Sequence, residues 1–151
     1  EATEYVPLEE FAIGEYANVL DADQLVTGVR IPSPPAGSGV GFEKFGWREA
    51  DYSLVNVAAR LTVDGTEITE ARICVGCMGP TPIRMEEMEE ALVGSDVDDT
   101  DRQQRVAEHV AEFTEPVGEQ QASVEYKNRL AERLLVKALG TAAERATEGA
   151  E

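Results

Sequence analysis

A chain of 151 residues with 42% hydrophobic content is long enough for one domain with a workable core. Its formal net charge is −17, from 30 acidic and 13 basic residues. That excludes nucleic acid, whose phosphates need a basic surface, and an anionic membrane surface.

Lys is scarce, with Lys44, Lys127 and Lys137 against a majority of Arg. Abundant carboxylates with little Lys suit a salt-adapted, halophilic surface, because at molar salt the Debye length falls to roughly 3 Å and self-repulsion is screened. No apolar run of bilayer-spanning length occurs, and no signal peptide is recognisable. The chain opens on Glu1 and not on Met, as a fragment does. Two Cys in an acidic chain fit a reducing compartment, and the expected location is cytoplasmic.

In chain order, Val6-Pro7-Leu8-Glu9-Glu10-Phe11 reads as a short extended piece and one helical turn, with Leu8 and Phe11 able to share a face. Asp21-Ala22-Asp23 is a turn. Leu25 to Ile31 is rich in β-branched residues and stops at Pro32, which predicts a strand. Ser33-Pro34-Pro35-Ala36-Gly37-Ser38-Gly39 is the clearest linker. A domain boundary is expected there, dividing residues 1–35 from 36–151.

Three strands are expected next. Val40 to Trp47 alternates, placing Val40, Phe42 and Lys44 on one face and Gly41, Glu43, Phe45 and Trp47 on the other. Ser53 to Val63 follows, then the hairpin signal Asp64-Gly65, then Ile68 to Met78 with Ile73, Val75 and Cys77 on one face. Beyond Pro80-Thr81-Pro82 the period is helical. Met85, Met88, Glu89 and Leu92 form one inward set, and Gly94 is a stop. Thr100-Asp101-Arg102-Gln103 fits a capping box opening a helix with Val106, Val110 and Phe113 inward. A last helix spans about Ser123 to Arg145, with Leu130, Leu134, Ala138 and Ala142 as its main stripe, widened by Ala131, Leu135 and Leu139. The predicted fold is α+β: an antiparallel sheet of three or four strands followed by about three helices packed on one face.

Few residues point to chemistry. Cys74-Val75-Gly76-Cys77 has the C-x-x-C spacing of a redox pair or half a zinc site. Residues three apart in a strand point to opposite faces, however, and a single His leaves too few further ligands, so two buried structural thiols are expected. His109 reads as a helix-surface or edge-of-core residue. The glutamate pairs Glu86-Glu87 and Glu89-Glu90 read as solvated faces. No serine-nucleophile motif, G-x-G-x-x-G or phosphate loop is present. Lys44 stands out, because its ammonium shares a face with Phe42, which costs energy unless an anion or carbonyl meets it. Arg48 beside it has Glu49 and Asp51 as candidate partners. On chemistry alone, both a ligand-facing and a merely structural Lys44 stay open.

Four stretches together resemble the FAD-binding (medium) subunit of molybdenum hydroxylases, the carbon monoxide dehydrogenase, xanthine dehydrogenase and aldehyde oxidase group. They are Val6 to Phe11 followed by Leu25 to Pro32, then Phe42-Glu43-Lys44-Phe45-Gly46-Trp47-Arg48 with Asp51, then Ala71 to Arg84, and finally Ser123 with Tyr126-Lys127. The resemblance implies that residues 1–35 are the tail of an FAD-binding domain and 36–151 the C-terminal domain of such a subunit. It implies that Val26 and Lys44 approach the flavin of FAD, with Arg48 and Asp51 fixing the loop beside it. It further implies partner subunits, a molybdopterin large subunit and a [2Fe-2S] small subunit, with electrons passing from the clusters through FAD to an acceptor. The chain's own part would be to close one wall of the flavin site and dock subunits. Two positions depart from the family pattern: Trp47, where a basic residue is common, and Cys77, where a small or apolar one is usual. A stand-alone, cofactor-free dimerisation or interaction domain is the alternative reading.

Overall fold

The computed structural model describes residues 3–48 and 50–148. The chain divides into two compact units, Glu1–Ser33 and Pro34–Glu151. In the first, helix α1 (Leu8–Phe11) leads into a small hairpin of β1 (Ala12–Gly14) and β2 (Ala17–Asn18). The guanidinium of Arg30 lies 4.4 Å from the centre of the Tyr5 ring and donates to its hydroxyl at 3.0 Å.

The strand expected over Leu25–Ile31 does not form. Strand-prone side chains are not sufficient, because a strand also needs a neighbouring edge to take its backbone groups. Among the described residues none pairs with this stretch, and Leu25, Val29 and Ile31 are 73%, 77% and 85% exposed.

The second unit is the α+β body. Strands β3 (Ser38–Phe45), β4 (Val55–Asp64), β5 (Glu67–Gly76) and β6 (Ile83–Arg84) form one antiparallel sheet in that order. Gly65 has a φ of +62°, as a two-residue hairpin loop with Gly at its first central position requires. A bulge at Thr62/Val63 lets Leu61, Thr62 and Val63 all be buried in succession. The hydroxyl of Thr62 stays satisfied 2.8 Å from that of Ser38.

Helices α2 (Glu86–Leu92), α3 (Thr100–Glu108) and α4 (Val124–Glu148), with a 3-10 turn at Val110–Phe113, supply the other layer. One continuous core joins Val57, Ala59, Leu61, Ile73 and Val75 of the sheet to Met88, Leu92, Leu135 and Leu139 of the helices. The opposite face of the sheet carries Val40, Phe42 and Lys44 in the open. Among the described residues no helix is long and apolar enough to cross a membrane.

Three local expectations shift. Asp99, not Thr100, caps α3, its carboxylate accepting from the Arg102 amide at 2.9 Å. Gln103 instead turns inward and donates to the Val97 carbonyl at 2.8 Å. On α4 the buried face draws on both stripes: Ala138 and Ala142 of the main one and Ala131, Leu135 and Leu139 of the widening one are buried, whereas Leu130 and Leu134 are only partly so. The stripe turns because α4 is seated by its alanines. Gly39 and Gly41 of β3 face it, and a Cβ on either would run into the carbonyl oxygens of Ala142 and Ala138. Small residues on both sides therefore set the helix-to-sheet distance.

Gly41→Ala should therefore destabilise the fold by about 1–3 kcal/mol through overpacking. A thermal melt followed by circular dichroism should show a lower Tm, and an unchanged melt would mean that α4 can retreat freely.

Candidate functional site

The densest chemistry lies where β3 ends. Phe45, partly buried, is the last residue of the strand, and the chain then loops through Gly46 to Leu54 before β4. The loop folds back on itself. The Leu54 amide donates to the Phe45 carbonyl at 2.7 Å, and the Asp51 amide to the Arg48 carbonyl at 3.1 Å. Lys44, exposed on the open face and opposite Asn56 in register, donates its Nζ to the Asp51 carbonyl at 3.0 Å. The ammonium beside Phe42 is thus met by a carbonyl of the chain's own loop, which is one of the two ways its position becomes tolerable.

Arg48 and Asp51 act here through their backbones. Among the described residues no ion pair joins their side chains, and Glu49, the other partner considered for Arg48, lies outside the described residues. Val26, 52% exposed, belongs to the unpaired stretch of the first unit.

Three aromatic rings flank this loop. Phe45 meets Trp47 edge-on at 5.6 Å and Tyr126 edge-on at 6.4 Å. Trp47 and Tyr126 are parallel, 6° apart, with centroids separated by 6.4 Å. Such arrangements contribute about 0.5–1.5 kcal/mol per pair beyond area burial. Trp47 remains 52% exposed and Tyr126 40%, so the cluster ties the loop to the first turn of α4 and still presents aromatic surface. Ser123 sets that turn by accepting from the Tyr126 amide at 3.1 Å.

Residues 41–142 match the family model described as CO dehydrogenase flavoprotein C-terminal domain. The chain belongs to this family. It is 30% identical over 146 residues to the carbon monoxide dehydrogenase medium chain of Afipia carboxidovorans, covering 97% of this chain and 50% of that one. It is 25% identical over 140 residues to a putative xanthine dehydrogenase FAD-binding subunit of Escherichia coli K12, covering 91% and 48%. Among solved structures it resembles the carbon monoxide dehydrogenase from Hydrogenophaga pseudoflava, with a TM-score of 0.84 and 26% identity over 91% of this chain and 47% of that one. The chain spans about half the length of the curated relatives it matches.

Against this family background two carboxylate and thiol expectations change. Glu89 is not on a solvated face but 4% exposed, as its place in the set Met85, Met88, Glu89, Leu92 implies. Its carboxylate accepts from the Ile73 amide at 2.9 Å, from Arg84 Nε and Nη2 at 3.1 and 2.9 Å, and from Arg72 Nη1 at 3.3 Å. Burial alone would raise its pKa. The hydrogen bonds from Arg84 and the Ile73 amide, with the charges of Arg84 and Arg72, outweigh burial and hold it below the ordinary carboxylate value. Glu89 thereby pins α2 to the β5–β6 edge.

The thiols are not two buried ones. β5 ends at Gly76, so Cys77 leaves the sheet in a left-handed conformation (φ 66°) and is exposed. Its sulfur lies 3.5 Å from the Ser53 hydroxyl and 3.6 Å from Asn56 Nδ2. Cys74 is half-buried, and burial followed by the negative charge of Glu89 pushes its thiol up. No group of three His, Cys, Asp or Glu suited to a metal occurs among the described residues. His109 is 60% exposed and pairs with Glu112 at 2.7 Å, on the surface at the end of α3.

Sequence reasoning missed the use of Lys127, which is 4% exposed and ion-paired with Glu119. The signal was present, since the buried stripe 131, 135, 138, 142 extends one step back to 127.

Two outcomes follow. A depressed folded pKa means that the stability from Glu89 is fully present above the ordinary carboxylate value near 4.3 and is lost as pH falls through its folded value. Glu89→Ala should cost about 1–3 kcal/mol at pH 7, with the gap to wild type closing in acid denaturation below pH 4; a pH-independent gap would remove the charge from the explanation. Under native conditions a thiol reagent should label Cys77 at least about tenfold faster than Cys74, as peptide mass spectrometry can read; equal rates would count against the geometry.

Proposed function

We propose that this chain is the C-terminal half of the flavin subunit of a molybdenum hydroxylase, an oxidoreductase of the carbon monoxide dehydrogenase and xanthine dehydrogenase type. In this reading residues 1–35 are the end of the FAD-binding domain and 36–151 the C-terminal domain. The observation that carries it is the family match over residues 41–142, together with relatives of about twice this length named as medium chain and FAD-binding subunit. Partner subunits bearing molybdopterin and [2Fe-2S] clusters belong to the same proposal.

The residues fit FAD in part. This chain carries no glycine-rich loop to cradle a pyrophosphate, so phosphate binding falls to the other half of the subunit. What the chain offers is a wall: the exposed Lys44 ammonium at the open end of β3, held by the Asp51 carbonyl. FAD, when bound, supplies the electron transfer between clusters and acceptor. Lys44 places positive charge where an anionic reduced ring would gain from it. The Arg48–Asp51 turn fixes that ammonium. Val26 is carried in this reading as a flavin-packing residue on the family resemblance. The apolar Leu25–Ile31 stretch, unpaired here, suits an edge in the missing half.

The 151-residue chain should purify without a flavin spectrum, and a stoichiometric flavin absorbance would overturn the wall reading. In the full-length subunit, Lys44→Ala should weaken FAD retention or shift its reduction potential by tens of millivolts, about one tenfold step in equilibrium per 30 mV for a two-electron couple. If fluorescence titration and redox potentiometry both match wild type, Lys44 does not touch the flavin.

A further inference from the structure

Lys137 and Arg145 of α4 are spent within the fold, Lys137 on Glu43 at 2.9 Å and Arg145 on the Val40 carbonyl at 2.6 Å. Arg129 and Arg133 are not. Both are exposed, and among the described residues neither has an ion-pair partner. Glu132 between them instead accepts from Gln104 at 3.4 Å.

Arg129, Arg133 and Lys137 succeed one another at four-residue steps, so they line one ridge, and like charges at that spacing repel along a helix. In a chain with 30 acidic residues, two guanidinium groups exposed side by side form a local basic patch. Tyr126, three residues before Arg129, continues the ridge to Trp47, with which it is stacked. An exposed Trp and Tyr beside two unpaired Arg is the residue set of an interface hot spot.

We propose that the ridge Trp47–Tyr126–Arg129–Arg133 docks an acidic segment of a partner polypeptide in the assembly, one carrying carboxylates for the two arginines and an apolar side chain for the rings. The occupant is not a second copy of the same ridge, since a two-fold contact would set arginine against arginine. The net charge of −17 repels acidic proteins at long range, so this patch selects one orientation of its partner. The inference rests on the flavin-subunit reading.

The test uses the full-length subunit assembled with its partner subunits. Arg129→Glu and Arg133→Glu should each weaken assembly by about tenfold or more, measured by analytical ultracentrifugation at 0.15 M salt, and less so at 1 M salt. Arg105→Glu, the same charge change on α3, should leave assembly within about twofold. Tm and bound FAD should stay at wild-type values in all three. Wild-type assembly by the two ridge variants would overturn the docking site alone. Loss of FAD with intact assembly would also overturn it, making the ridge a small-anion site. A wild-type subunit that assembles with no partner would overturn both this inference and the flavin-subunit reading.

Discussion

The close seating of α4 on β3 is the constraint on which the second unit depends. Two glycines on one strand and alanines on one helix face remove the side chains that would otherwise hold the two layers apart. Several contacts between β3 and α4 follow from that distance. The first turn of α4 comes to rest against the end of β3, so Tyr126 meets Phe45 and Trp47. Lys137 reaches Glu43, and Arg145 reaches the backbone of β3. A larger residue at either glycine would change the core and also lift the aromatic cluster off the loop that holds Lys44.

Two groups of arginines stand in settings with different physics. Arg60, Arg72 and Arg84 are paired by Glu70, Glu86 and Glu89 around the sheet. Of those carboxylates Glu89 is the buried one, so its bonds are made in a poorly solvated setting where leaving it unpaired would be expensive. Arg129 and Arg133 sit in solvent, where pairing gains little and non-pairing costs little. That asymmetry is why the partners of Glu89 inform about folding, whereas at Arg129 and Arg133 it is their grouping beside the exposed Trp47 and Tyr126, and not the lack of partners, that bears on function.

How much was legible in the sequence depends on whether the signal was periodic. The order of strands and helices in the second unit came from alternation and from the 3.6-residue period, and these survive because burial on one face enforces them. β6 is two residues long and carries no period, so it was invisible. The Leu25–Ile31 stretch failed for the opposite reason: its propensity is local, but a strand is a pairing between segments. Cys77 was misread because alternation was carried one residue past the end of β5, where a left-handed backbone redirects the side chain. Glu89 was misread because composition was allowed to outweigh position, although its spacing already placed it among Met85, Met88 and Leu92. Lys44 was found as an anomaly, an ammonium beside Phe42. The Asp51 carbonyl that answers it comes from a loop fold that no pattern encodes.

Core and candidate site use opposite faces of the same sheet, and this separates their tolerances. Val57, Ala59, Leu61, Ile73 and Val75 point to the helices and are almost fully buried. Phe42 and Lys44 point away, on the strand that also carries Gly39 and Gly41. On β3 alternate residues answer to both demands, Gly39 and Gly41 packing against α4 on one side and Lys44 presented on the other. A substitution on β4 or β5 can alter stability without moving the site. On β3 the two cannot be varied independently, because the same backbone that must lie close to α4 sets the height and direction of the ammonium.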